Sequence, residues 1–496
     1  MSLIGDLVMT SASVFGYTGS SLSVDGDASF GGSVLFGTPY QFGDTGTLIT
    51  YTGASTGGIA DTDLLGVLYA TYTDVGGALN YTIEAASFES VLPTITDPNT
   101  QSLVDGLNNA RGVSYGDMSG VYGVLDYLSG DQLLSALEGV TPYQQGSVMN
   151  SLIAGNSQLG AHLSNRFAAI AAGRADGAAF NQIGTSGIQV AGSQEMAAFA
   201  MAAEATAAQG GGSASSSSSA TGWGSFVEVS YYTGDETNPM NNAESDIEGM
   251  SITAGIDREL DEGFRMGAFL SYTDGETTYN SALGGSEADG ITVGGYAAYT
   301  GDTGLRMNAY VGAGQRDVTS MRVDALTSGT LLGETEADEF IIGAEVSKLY
   351  PAGSFFIEPS VGVDYASFVV DGYSETGGAS ALTYDDIKAS TTQAHAGAQL
   401  HFFNPESATG LRPSIGADFV FDLSNDPTAV TSYFNGASAS TFQTVGPGSD
   451  SQWIDLNAQL EYYSAGNFSF AGFVTQSVNR DDLDITTFGL NVRATF

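Results

Sequence analysis

The sequence predicts a mainly β chain: a 12-stranded antiparallel transmembrane β-barrel with a pore-spanning α-helix, preceded by a helical linker and a β-solenoid-like N-terminal segment. Three observations predict it. From Trp223 onward apolar and polar residues alternate with a period of two, which gives an extended chain one greasy and one wet face. The connections between these runs alternate between tight turns and long polar loops, the rhythm of a barrel that crosses a membrane. The chain finishes on "TFGLNVRATF", with Phe488, Leu490, Val492, Ala494 and Phe496 on one side and Thr487, Gly489, Asn491, Arg493 and Thr495 on the other.

Composition narrows the partners. The 496 residues carry a formal net charge of −43, from 56 acids against 13 bases, and Lys348 and Lys388 are the only lysines. Phosphate binding needs a basic patch, so nucleic acid is a poor partner. Cysteine is absent, which removes disulfide and thiol chemistry. There are 26 Phe and 24 Tyr against two Trp. No run of eighteen apolar residues occurs, so a helical membrane span is unsupported. The opening "MSLIGDLVMTSASVFG" lacks a basic leader before an apolar core and does not read as a signal peptide.

Residues 1–98 are rich in Gly, Ser, Thr and Asp, with short β-prone runs such as "SLSVDGDASF", "GTLITYTG" and "LNYTIEAASF". Turn residues at short intervals suit a solenoid end or a small sandwich; the repeat is too imperfect to fix a rung length. Residues 99–176 turn helical. Thr141, Pro142 and Gln144 read as N-cap, first helical residue and capping-box partner, and Ser129 with Gln132 offers a second box. Leu152, Leu159, Leu163, Phe167 and Ile170 form one apolar stripe, the mark of a packed helix face. Residues 177–222 are a low-complexity Ala/Gly/Ser linker containing "QGGGSASSSSSATG", flexible by composition; within it 192–208 is a second candidate helix.

Residues 223–496 hold twelve candidate strands, about 223–234, 246–260, 263–275, 287–300, 305–319, 337–350, 355–369, 386–403, 411–424, 451–464, 468–479 and 484–496. Tight turns such as "LDEG", "GDTG", "PAGS" and "SAGN" follow most even-numbered strands, and long loops such as "VDALTSGTLLGETEAD" follow most odd-numbered ones. An even strand count puts both barrel ends on the short-turn, periplasmic side. For the N-terminal residues to lie outside, the chain must pass through the lumen, and a helix does so with its own hydrogen bonds satisfied. Strands ~4.8 Å apart and tilted by ~40° give a backbone diameter of roughly 24 Å. Inward side chains then leave room for about one helix of ~10–12 Å.

Taken together, the terminal "TFGLNVRATF", the "GWGSFVEVSYYTGD" that opens the barrel, "LSNRF" before it and the β-rich 20–95 resemble a bacterial autotransporter (type V secretion) over most of the chain. The resemblance implies a bacterial outer-membrane translocator that exports and anchors its own N-terminal passenger at the cell surface, with no cofactor and no enzymatic activity. It implies contacts with outer-membrane lipid, periplasmic chaperones, the barrel-assembly machinery and the chain's own passenger, in a monomer. Phe488, Leu490, Val492, Ala494 and Phe496 match the family's assembly signal, and residues 1–98 its autochaperone-like passenger end. Asn165, Arg166 and Phe167 match a pore-helix motif whose Arg meets an acidic lumen. By strand parity Glu228, Asp418, Asp455 and Glu461 are the candidate acids, with Arg493 also facing the lumen. Two departures stand out. About fifty residues separate this motif from the first strand, so either 147–173 or 192–208 could occupy the lumen. The positions that match the paired asparagines at which some members cut themselves are Ala161 and His162, so the passenger is expected to stay attached. The alternative reading is a surface adhesin or structural display protein whose barrel is only an anchor.

Enzyme-like motifs carry little. "GASTG" (Gly53–Gly57) fits a nucleophile elbow but sits in a β segment, where that motif needs a strand-to-helix turn. Asp25 and Asp27 begin like a calcium loop, yet its sixth and twelfth positions are Phe30 and Phe36, not Gly and Glu. His395 and His401, six residues apart on one strand face, read as lumen lining. The acidic loop "GETEADEF" reads as solvated.

Overall fold

Period-two alternation becomes a closed wall. The computed structural model describes residues 1–37, 39–171, 222–237, 244–279, 284–402, 410–424, 427–446, 450–463, 468–480 and 483–494. Twelve long strands run Trp223–Thr237, Glu244–Asp261, Phe264–Tyr279, Gly284–Thr300, Leu305–Val323, Thr330–Lys348, Phe355–Val370, Ile387–His401, Gly410–Asp422, Gln452–Tyr463, Phe468–Val478 and Leu483–Ala494. Each pairs antiparallel with its neighbours, and the twelfth pairs with the first, Asn491 opposite Glu228, so the sheet has no free edge. Val229, Ile291, Val311, Ile342, Val361 and Leu460 are exposed on the outer face, while Ser230, Thr253, Thr273, Thr292, Ser414 and Thr487 are buried inside.

The strands outrun the membrane. A tilted strand crosses a bilayer in ~9–11 residues, yet the fifth and sixth have 19 each. The sixth begins at Thr330 rather than near 337, so most of the predicted polar loop is paired strand: Met321 lies opposite Leu332 and Thr319 opposite Glu334. Two outer loops also fold. Tyr373–Ser374, Leu382–Tyr384, Ala429–Phe434 and Phe442–Val445 form a four-stranded sheet over the long-loop mouth.

On that sheet sits a helical cap of α1 (Pro98–Ser114), α2 (Ser119–Leu125) and α3 (Gly130–Val140). Asp97 caps α1, its carboxylate accepting from the Asn99 and Thr100 amides, with Pro98 in the first turn. The two predicted capping boxes do not form. Ser129 makes no side-chain cap bond, and Thr141 instead donates its hydroxyl to the Leu137 carbonyl at the end of α3. Asn99 meets the edge of the loop sheet as another strand would, donating to the Val445 carbonyl at 2.9 Å and accepting from its amide at 2.8 Å. Leu103, Leu107, Tyr122, Leu133 and Leu137 share one core with Leu382, Tyr384, Val430, Phe434 and Phe442. From the rim of the fifth strand, Arg322 donates to the Val140 carbonyl at 3.1 Å, to Glu375 at 3.0 and 2.6 Å, and to the Ser380 carbonyl at 2.9 Å.

The N-terminal β region is a solenoid. Ser2 stacks in parallel on Ser23 and Ser23 on Thr50, while Leu7 stacks on Ala28 and Ala28 on Ser55. Rung spacing is therefore uneven, which is why no repeat length is legible in the sequence. Val24, Ala28, Phe30, Val34, Leu48 and Ile49 fill its core. Ser55 is a rung residue, and Asp25 and Asp27 tie rungs together, accepting from the Thr52 hydroxyl at 3.0 Å and the Ala54 amide at 2.7 Å. The antiparallel hairpin Leu68–Val75 and Ala78–Ala85 closes the stack through Thr45–Tyr51.

Solenoid and cap join around a buried cation. Arg111 of α1 donates to Asp126 at 2.6 Å, with its guanidinium 4.5 Å from the Phe88 ring centroid and 4.7 Å from that of Tyr122. Arg111→Met strands the Asp126 carboxylate in this core and should cost about 3–5 kcal/mol. Limited proteolysis in increasing urea should therefore cut residues 98–140 earlier than in the parent, with the barrel unaffected. Equal resistance would show that the pair does not hold the cap.

Candidate functional site

The lumen is occupied. α4 (Gln144–Ala171) has 28 residues and is about 42 Å long at ~1.5 Å per residue, enough to cross a hydrocarbon core of ~30 Å. Its path is fixed by contacts at successive heights. At the outer end the Gln145 amide donates to the Ser320 hydroxyl at 3.1 Å and its carbonyl accepts from Tyr373 at 2.7 Å. Midway, Gln158 donates to the Thr487 hydroxyl of the twelfth strand at 3.0 Å. One turn on, His162 bridges the Thr253 hydroxyl at 2.7 Å and the Ser230 hydroxyl at 2.9 Å.

The predicted stripe of Leu152, Leu159, Leu163, Phe167 and Ile170 is buried and shares one cluster with inward wall residues Phe226, Phe269, Tyr296, Ala298 and Ile341. Small residues bring the helix close to the wall. An ideal Cβ built on Gly155 would lie 2.9 Å from the Thr273 methyl. The far wall, strands eight to eleven, stands off across a cavity of about 360 Å³.

Near the periplasmic end the helix carries its charge. Arg166, 1% exposed, donates through Nε to one Asp257 oxygen at 2.7 Å and again through Nη2; the Tyr296 hydroxyl donates to that same oxygen at 2.6 Å, and Arg265 donates to the other at 2.7 Å. The Arg166 guanidinium lies 5.4 Å from the Phe226 ring centroid, and Phe167 meets Tyr296 edge-on at 5.7 Å. Gly267 admits that tyrosine: a Cβ there would fall 2.4 Å from its ring.

The acid that receives Arg166 is thus Asp257, which the sequence reading did not single out, rather than Glu228, Asp418, Asp455 or Glu461. Parity assigns a face, but the helix register assigns the height, and Asp257 lies within four residues of the turn after the second strand. Glu228 is also buried against the helix, but it accepts from Asn165 and, at 3.0 Å, from Asn491. Asp418 accepts from Asn457 at 3.2 Å and Asp455 from Ser477 at 2.7 Å, both on the far wall. Glu461 is the cross-strand neighbour of Arg412, and Arg493 of Ser469. His401 meets Glu358 at 2.9 Å, and His395 lies 3.4 Å from both Glu345 and Asp364.

At the closing strand Phe488 and Leu490 project outward, 51% and 66% exposed. Val492 and Ala494 register against Phe470 and Phe468. Phe496 and the candidate helix 192–208 lie outside the described residues.

The family model described as "Autotransporter beta-domain" matches residues 226–475, just over half of the chain. No curated protein matches it. Among solved structures, the translocator domain of the autotransporter NalP from Neisseria meningitidis is similar at 14% identity and a TM-score of 0.46, covering 61% of this chain and 97% of its own. The β-domain of the Bordetella autotransporter BrkA matches at 17% identity and a TM-score of 0.38, over 55% and 99%. The transport unit of AIDA-I from Escherichia coli matches at 12% and 0.38, over 60% and 98%. The family match favours a translocator over a display protein that uses its barrel only as an anchor. The chain therefore belongs to the autotransporter β-domain family, as an outer-membrane translocator that carries its own N-terminal passenger to the cell surface.

Proposed function

We propose that export by this barrel ends with α4 resident in the lumen and the passenger end, residues 1–98, still joined to it. The observation that carries this reading is the ion-pair cluster of Arg166, Arg265 and Asp257, buried between helix and wall. Asn165, Arg166 and Phe167 are the stop on the helix, and Asp257 is its seat. The helix also touches both sides of the barrel seam, through Asn165 on Glu228 and Gln158 on Thr487. Passenger export draws its free energy from folding outside, without a cofactor and without catalytic chemistry. Periplasmic chaperones deliver the chain, the barrel-assembly machinery reads the outward face of the last strand, and one copy of the chain suffices for a pore.

Two outcomes test this. Asp257→Asn leaves two buried guanidinium groups short of a counter-charge and should destabilise the seated helix by about 3–5 kcal/mol. The temperature at which the folded band is lost on semi-native gels should fall, and an Asp257→Asn, Arg166→Gln double variant should recover part of the loss. A seat without functional weight would leave the parent, single and double variants alike. Deletion of Phe496 should lower the amount of protein inserted in the outer membrane, read by fractionation; unchanged levels would remove the assembly-signal role.

A further inference from the structure

We infer that the outer face of the loop sheet binds an anionic glycolipid of the outer leaflet, of the lipid A class, with its acidic core sugars held at Lys388 and Tyr433. The loop sheet has two faces. Leu382, Tyr384, Val430 and Phe434 pack into the core shared with the helical cap. By alternation Ser374, Thr383 and Tyr433 face the other way. The register puts Ser374 opposite Thr383 and Thr383 opposite Tyr433. These three, with Asp385, Asp386 and Lys388, line an open cavity of about 650 Å³, within the ~300–1,000 Å³ of small-molecule sites.

The lining suits a sugar. The Ser374 and Thr383 hydroxyls lie 2.7 Å apart, and Thr383 donates on to Asn435 at 2.7 Å, which leaves acceptor lone pairs on this face. The exposed Asp385 adds a carboxylate, and sugar hydroxyls can donate to both. Half-buried Tyr433 offers an apolar ring with a polar tip. Lys388 is exposed and has no ion-pair or hydrogen-bond partner among the described residues. An unpaired ammonium beside these acceptors selects a sugar that carries an anion, because charge-assisted hydrogen bonds are the strong ones.

Position selects the source. Lys388 shares the outward face of the eighth strand with Ser390, Thr392, Ala394 and Ala396. Ala396 stands between Val361 and Phe419, both exposed on the outer wall. The cavity therefore opens sideways, above the lipid. The apolar band ends at Leu423, whose amide donates to the Thr392 carbonyl at 2.7 Å. At ~3.3 Å per residue and ~40° of tilt, Lys388 lies about 10 Å higher than Thr392. A phospholipid headgroup reaches only ~5–8 Å beyond the hydrocarbon. A lipid that meets Lys388 thus carries sugars between its acyl chains and its anion. The wall of strands three to six repels such a lipid: Asp274, Asp289, Asp317 and Glu336 stand directly opposite one another in one outward row.

The experiment titrates the full chain, in detergent with EDTA to remove bridging cations, and reads bound lipid by native mass spectrometry. The probes are lipid A and lipid A carrying its acidic inner-core sugars. The sugar-bearing probe should bind about tenfold more tightly. Lys388→Glu and Tyr433→Ala should lower it to the level of lipid A. Lys348→Glu, at the other lysine and the periplasmic end of the sixth strand, should leave it unchanged. Heat-shifted gel migration checks that each variant is folded. Equal affinity for the two probes would overturn the proposal, as would parent-like binding by Lys388→Glu or an equal loss in Lys348→Glu. The core oligosaccharide freed of its acyl chains should compete about tenfold less well than the intact glycolipid. Equal competition would assign the cavity to a soluble saccharide and overturn the membrane source.

Discussion

Everything in this molecule follows from one seam. Hydrocarbon offers no hydrogen bonds, so a sheet in a bilayer cannot keep an edge. Leu483–Ala494 must therefore find Trp223–Thr237, and the described register does so from Leu483 on Glu236 to Asn491 on Glu228. Antiparallel closure of twelve strands then places both barrel ends on the short-turn side. With solenoid and cap on the long-loop side, the connecting chain has one covered route, and α4 takes it. Glu228 sits where these demands meet, on the first strand, opposite the last, against the helix.

What holds the helix in the lumen differs from what sets its height. Seven large apolar side chains, the stripe together with Val148 and Met149, are buried along α4, each worth roughly 1.5–3 kcal/mol by removal from water. A buried ion pair nets close to zero, because desolvation offsets the Coulomb gain. The stripe thus supplies most of the stabilisation, yet it is degenerate: a helix slid by one turn still presents leucines to an apolar wall. Arg166 is not degenerate. Displaced by one turn, its guanidinium would be buried away from Asp257, which would keep only Arg265 and Tyr296, at a cost of several kcal/mol. Apolar burial seats the helix and the charge pair fixes its register.

Much of the barrel was legible because alternation is local. Phe488 and Leu490 read as one face from the sequence and lie exposed on one in the structure, while Thr487, read on the other, is buried in the lumen. Turns such as "GDTG" were legible for the same reason. The missed parts depend on distance. Polar residues 330–336 read as loop, because nothing local shows that Arg322 and Thr319 lie opposite them. The loop sheet is built from segments some fifty residues apart, such as Leu382 opposite Phe434. Asp257 was missed because parity is silent about height. Thr141 carries a capping pattern, but its backbone belongs to the end of α3, where the hydroxyl finds a nearer acceptor.

The cap gives the threaded arrangement its direction. A lumen that fits one helix of ~10–12 Å cannot take back three helices packed side by side, since each adds a diameter of that order. Retreat requires unfolding a core in which Leu103, Leu107, Tyr122 and Leu137 pack with Tyr384, Val430 and Phe434 of the barrel's own loops. That core cannot exist until the helices have emerged, because half of it is built on the outer rim. Arg322 makes the dependence explicit: one guanidinium holds the last carbonyl of α3, Glu375 and the Ser380 carbonyl together. Before α3 arrives, one of its donors has no carbonyl to meet. Emergence therefore completes a hydrogen-bond set that the barrel alone leaves short, and the free-energy gradient points outward.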